Sequence, residues 1–158
     1  MHPWISPVGR SLERRRPPVF CVHYACSSLH SIVQQTPSVT GVSIRVLRLD
    51  QTRSFSLSMM AKREGIDRAD IPQAGEQLER SLLEEFNCFL ERMLKKYPEA
   101  WWFHWAMRDT TFGWPMLEHR MQTLHKKPLC MEEEQLVDLH AVLANDFGRE
   151  FISPPQLL

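Results

Sequence analysis

From Gly41 to Met60 the chain alternates between apolar and polar residues with a period of two. Val42, Ile44 and Val46 share one face of a strand in 41–49. After Asp50-Gln51-Thr52 the alternation resumes, with Phe55, Leu57 and Met59 set against Ser54, Ser56 and Ser58. Two such runs joined by a short polar connection predict a β-hairpin of strands 42–48 and 54–60. The connection lacks Asn-Gly or Asp-Gly, which favours a longer or bulged turn. The spacing then changes to three and four. Leu78, Leu82, Phe86, Phe89, Met93 and Tyr97 form a stripe that Leu83, Leu90 and Leu94 widen, predicting a helix over 77–97 that packs on the sheet. Glu76 and Glu79 suit its first turn, Lys95 and Lys96 its last, and Pro98 stops it.

The run 100–106, Ala-Trp-Trp-Phe-His-Trp-Ala, carries bulky rings on both alternating faces, as a central strand covered on each side would. A second helix is predicted over 114–125, with Pro115 in its first turn. A third is predicted over 132–147, opened by Glu132-Glu133-Glu134 and closed by Gly148. Together these elements specify an α/β (or α+β) domain: a hairpin, a long helix, a central aromatic strand and two further helices.

Charge marks a boundary near residue 40. Residues 1–40 hold Arg10, Arg14, Arg15 and Arg16 against Glu13, and the remainder is net negative, so that the whole chain carries no net charge. Five prolines interrupt this first stretch, and the apolar run Val19-Phe20-Cys21-Val22 is cut short by His23. Residues 1–37 therefore read as a poorly ordered or extraneous segment, and 38–158 as the single domain. The chain of 158 residues is of one-domain length, and the apolar residues 151–158 suggest a docking tail or a truncated end.

Composition narrows the function classes. Apolar residues at 43% and charged residues at 24% describe a globular chain, and no apolar stretch reaches membrane-spanning length. Zero net charge gives no global attraction to nucleic acid or acidic membranes. Cys21, Cys26, Cys88 and Cys130 show neither metal-ligand spacing nor a dense disulfide pattern, which points to a reducing, cytoplasmic setting. There is no Gly-x-Gly-x-x-Gly, phosphate loop or Gly-x-Ser-x-Gly.

One constellation could carry chemistry. In the second helix, Glu118 falls within the stripe Trp114, Leu117, Met121, Leu124, where a carboxylate would lose solvation and need a partner. His104 on the aromatic strand and Arg108 in the loop after it are candidates, so His104, Arg108, Asp109 and Glu118 would converge, with His119 and Arg120 flanking. As a functional cluster, His104, Asp109 and Glu118 would be the catalytic groups, and Arg108, His119 and Arg120 would hold a ligand. As a structural one, Glu118 would pair with His104 or Arg108 and tie helix to strand. His104, Asp109, Glu118 and His119 are metal-ligand types, but no two histidines among them have helical spacing. Arg45, Arg48, Arg108 and Arg120 could form a local basic patch. His140 sits on the apolar stripe of the third helix, where a histidine usually serves the core.

The motif His104-Trp105-Ala106-Met107-Arg108-Asp109, then Phe112-Gly113, then Leu117-Glu118-His119-Arg120 resembles that of an uncharacterised bacterial family with His-Trp-Asn-Met-Arg-Asp and Leu-Glu-His-Arg. Ala106 replaces that family's Asn, removing an amide from the site the resemblance implies. The order of elements is more distantly similar to the ribonuclease-H-like exonuclease arrangement. There, the first strand supplies Asp-x-Glu and a later strand–helix junction a further Asp, which together hold two metal ions. The resemblance would put Asp109 at the later position, but Val42–Leu49, read as the first strand, offers Ser43, Arg45 and Arg48 instead.

Three roles follow. The first is a catalytically degenerate ribonuclease-H-like domain that binds a ligand or nucleic acid at the junction after strand 100–106. The second is a nucleic-acid-processing enzyme that uses Asp109, Glu118 and a histidine around a divalent metal ion. The third is a structural module that engages another protein through the chain's apolar ends.

Overall fold

The computed structural model describes residues 18–27, 37–107, 113–124, 127 and 131–148. Five strands form one mixed sheet: β1 (Val19–Cys26), β2 (Val39–Val46), β3 (Gln51–Ser56), β4 (Trp101–His104) and β5 (Leu136–Asp138), in the order β3-β2-β1-β4-β5. Among the described residues, four α-helices accompany it: α1 (Leu57–Glu64), α2 (Gly75–Lys96), α3 (Trp114–Thr123) and α4 (Leu139–Phe147). The α/β class expected from the sequence is what the chain adopts.

The hairpin forms antiparallel, with Val42 opposite Phe55 and Ser43 opposite Ser54. Val42, Ile44 and Phe55 point into the core, while Ser43 and Arg45 face outward. Its turn is a 3-10 segment, Leu47–Leu49, closed by Asp50 in the left-handed region. The second strand is shorter than its alternation implied. Ser56 ends it, and its hydroxyl accepts from the Met59 N–H to cap α1. Met60 and Ala61, three and four residues after Leu57, are then buried by helical spacing, so 57–60 belongs to a helix and not to the strand. Gly65, at φ 70°, ends that helix in a conformation that favours glycine. Helix α2 matches the predicted span within two residues and packs on β2, β3 and α1.

The largest correction lies before residue 38. Residues 19–26 are not extraneous: they form β1, paired antiparallel with β2 and parallel with β4. Phe20, Val22 and Tyr24 are buried at alternate positions, and Phe20 stacks on Trp102 with centroids 4.3 Å apart. His23 does not end the strand. It takes the outward, exposed face that the period of two assigns to it.

A second correction concerns 132–147. Instead of one helix, a 3-10 turn (Glu133–Gln135) leads into β5, which pairs parallel with β4, and only then does α4 begin. Asp138 caps α4: its Oδ1 accepts the N–H groups of His140 and Ala141 at 2.9 and 3.3 Å. The apolar stripe expected there covers no fully buried residue. β4 is thus an inner strand, as its rings implied, with Trp102 and Phe103 buried on opposite faces.

Candidate functional site at the ends of β4 and β5

Helix α3 carries the stripe expected of it, since Trp114, Leu117, Met121 and Leu124 are all buried. Met116 is buried as well, and this additional apolar residue turns the inward face away from Glu118 and toward Arg120. Glu118 is half-buried, and partial desolvation alone raises its carboxyl above the ordinary value. No hydrogen bond or ion pair joins it to His104 or to another described residue, which corrects the expected Glu118–His104 contact. Arg108 and Asp109 lie outside the described residues. His119 is exposed, and its carbonyl accepts from the Thr123 hydroxyl at 2.9 Å.

The buried charge is elsewhere. Glu79, fully enclosed on α2, receives Arg120 Nε at 2.9 Å and Nη2 at 2.5 Å, and its Oε1 also accepts the Val39 N–H at 2.8 Å. This one carboxylate joins α2, α3 and the start of β2. The hydrogen bond to Glu79, opposed by desolvation and aided by the carboxylate's charge, raises the Arg120 pKa. Arg120, expected as a flanking ligand-binding residue, is thus paired within the fold with Glu79. Arg45 is likewise paired, with Asp50, so two of the four arginines of the supposed basic patch are engaged within the fold. Glu79 reads as a first-turn acid. The overlooked signal was its place between Leu78 and Leu82–Leu83, within the stripe that α2 turns inward.

His104 is buried at the end of β4, and its Nδ1 accepts the Met107 N–H at 3.3 Å. In its neutral form the ring therefore carries its proton on Nε2. Directly across the parallel ladder stands Asp138, the last residue of β5. Besides capping α4, Asp138 Oδ1 accepts the Ala106 N–H at 3.1 Å, fixing the turn that leaves β4. Within that turn Ala106 has φ 50°, a left-handed conformation costly for a residue with a Cβ. Trp105 projects there, 42% exposed, with His140 meeting its ring edge-on at 5.6 Å.

The topology gives this place meaning. From β1 the chain proceeds to β2 and β3 on one side, then returns to lay β4 and β5 on the other. The C-terminal ends of β1 and β4 flank the point where that progression reverses, the usual ligand position in open α/β sheets. Pairing between these strands ends at Cys21 and Phe103, and β1 runs on to Cys26. Among the described site residues expected from the sequence, His104 is the one that the fold brings to this edge. Asp138, Trp105 and His140 join it there, and Glu118, His119 and Arg120 lie on α3. Among the described residues no group of three or more His, Cys, Asp or Glu side chains is arranged to hold a metal ion, and no helix is long and apolar enough to cross a membrane. Comparison with family models, with curated proteins and with solved structures finds no match for this chain.

Proposed function

We propose that this chain is a catalytically degenerate, ribonuclease-H-like binding domain that takes its ligand at the C-terminal ends of β1 and β4. The observation that carries the reading is the junction itself: His104 and Asp138 abreast at the strand ends, beside an exposed Trp105 on a left-handed turn. Strained backbone of this kind concentrates at functional sites. The order of hairpin, long helix, aromatic strand and helix supports the ribonuclease-H-like plan, and β1 supplies a first strand that the hairpin alone lacked.

Degeneracy is supported by what that strand carries. β1 reads Val-Phe-Cys-Val-His-Tyr-Ala-Cys, without a carboxylate, so the Asp-x-Glu on which two-metal hydrolysis would depend has no counterpart. The motif resemblance supplies the bacterial setting, and the free thiols Cys21, Cys26 and Cys88 suit a cytoplasmic one.

The test is to incubate the full chain with labelled single-stranded DNA and RNA in magnesium or manganese. Retention of the strand without cleavage is expected. Cleavage abolished by Asp109→Ala or Asp138→Asn would replace this reading with the metal-dependent enzyme. Absence of binding to either strand would remove nucleic acid as the ligand.

A further inference from the structure

We propose that two copies of this chain join through β3, whose open edges pair antiparallel about a two-fold axis at Ser54, so that the sheet runs on from one copy into the other.

An edge strand leaves alternate N–H and C=O groups without a ladder partner, and proteins blunt such edges by shortening, bulging or charging them. The two edges of this sheet differ in that respect. β5 has three residues, too few to template much. β3 has six, Gln51–Ser56, in unbroken register with β2, and Arg53 is its single charge. Gln51, Thr52 and Arg53 are exposed, and among the described residues no other strand or loop backbone bonds to the outer side of β3.

What lies along and beyond this edge selects a second copy as its occupant. A two-fold axis perpendicular to the sheet keeps the faces of both copies in line, so residues opposite one another must come from the same face. Of the two central residues, Arg53 on the axis would set two guanidinium groups against each other. Ser54 on the axis avoids this, placing Thr52 opposite the partner's Ser56 and Arg53 opposite the partner's Phe55. Within the chain Arg53 already lies over the Phe55 ring, 5.6 Å from its centroid, so the crossing pair repeats a contact that the fold accommodates.

Exposed apolar residues gather at the two ends of the same strand. Leu47 and Leu49 in the 3-10 turn before β3, and Met59 in the first turn of α1 after it, are three of the five large apolar side chains exposed among the described residues. Leu49 and Met59 each stand five residues from Ser54. Antiparallel pairing about Ser54 therefore carries the Leu47–Leu49 turn of each copy to the α1 start of the other, and each copy covers an end that its own chain leaves open. A strand from another protein would have to bring an apolar group to both ends, whereas a second copy has them in place. Six ladder residues and two apolar contacts make a small interface, so the dimer is reversible and of micromolar strength.

The test is sedimentation velocity of the full chain from about 1 µM to about 1 mM. The wild type should pass from monomer to dimer and go no further. Ser54→Lys, which puts two ammonium groups on the axis, should stay monomeric throughout with an unchanged circular dichroism spectrum. Leu49→Lys and Met59→Glu, both at exposed positions, should each weaken the dimer about tenfold, and the double variant should recover most of that loss because the new charges meet across the axis. If Ser54→Lys fails to fold, this charge pair decides. A wild type that stays monomeric leaves the edge to a strand of another protein and overturns the proposal. Oligomers larger than a dimer, a dimer that folded Ser54→Lys still forms, or a double variant no stronger than the single ones overturn it as well.

Discussion

The covered face of the sheet and the edge where β4 and β5 finish handle polar groups in opposite ways. On the covered face, Glu79 is enclosed and receives three N–H donors, two from Arg120 and one from Val39. At the edge, Asp138 also accepts three N–H groups, yet it fastens a turn that carries a left-handed alanine and a tryptophan 42% exposed. A satisfied buried charge holds elements together, whereas a satisfied charge beneath a strained, exposed turn holds something out to solvent. The contrast separates a structural ion pair from the proposed binding edge more surely than residue type does.

The largest expected effect tests the covered face. A chain beginning at Ser38 lacks β1 and with it Phe20, Val22 and Tyr24, so β2 and β4 lose the strand between them. It should show no cooperative thermal transition by circular dichroism. A melt within a few degrees of the full chain would mean that β1 is dispensable. Next, Glu79→Ala leaves a guanidinium only 12% exposed and the Val39 N–H without their acceptor. It should cost about 3–5 kcal/mol in urea denaturation, while Glu118→Ala, on the same face by sequence pattern but half-buried in fact, should cost less than about 1 kcal/mol. Equal losses would erase the distinction between the two acids.

Smaller effects sharpen the edge. Asp138→Ala removes the cap of α4 and the anchor of the Ala106 turn, and a loss of about 1–2 kcal/mol is expected, largely spared in Asp138→Asn. Ala106→Gly or Ala106→Asn should stabilise by about 0.5–1 kcal/mol, since both tolerate the left-handed region better. A destabilised Ala106→Gly would show that the turn is not strained. The smallest effect is on pH dependence. Burial raises the Glu118 carboxyl, so the folded state holds its proton more tightly than the unfolded one. Stability contributed by that proton is present below the ordinary value of 4.5 and is lost as pH rises through the raised value. Glu118→Gln should flatten that slope in denaturation curves taken across this window, and an unchanged slope would place Glu118 in solvent.

The antiparallel hairpin, α2 and the inner position of β4 were legible because each rests on a period carried by large apolar side chains. The stripe of α3 was legible too, but not which charged residue lay beside it, because Met116 shifts the buried face by part of a turn. Glu79 and Glu118 look alike in sequence, each next to a leucine within an apolar stripe. Only the approach of Arg120 and of the start of β2 made Glu79 the buried member. The edge site was the least legible. Its aspartate was hidden in an apparent helix, because Leu136, Leu139 and Leu143 keep helical spacing while Leu136-Val137-Asp138 is also a short strand.

By itself, the sequence determined where apolar faces repeat, and hence the α/β class, the long helix and the aromatic strand, since local periodicity records which side of an element will be dry. Tertiary structure alone decided that Val19–Cys26 is the strand around which the sheet is ordered, that Glu79 and Arg120 share a charge, and that His104 meets Asp138 across a parallel ladder. Those facts join residues up to 82 positions apart, as the paired Phe20 and Trp102 show. Pairings over such separations are fixed by the packing of whole elements, and no local pattern encodes them.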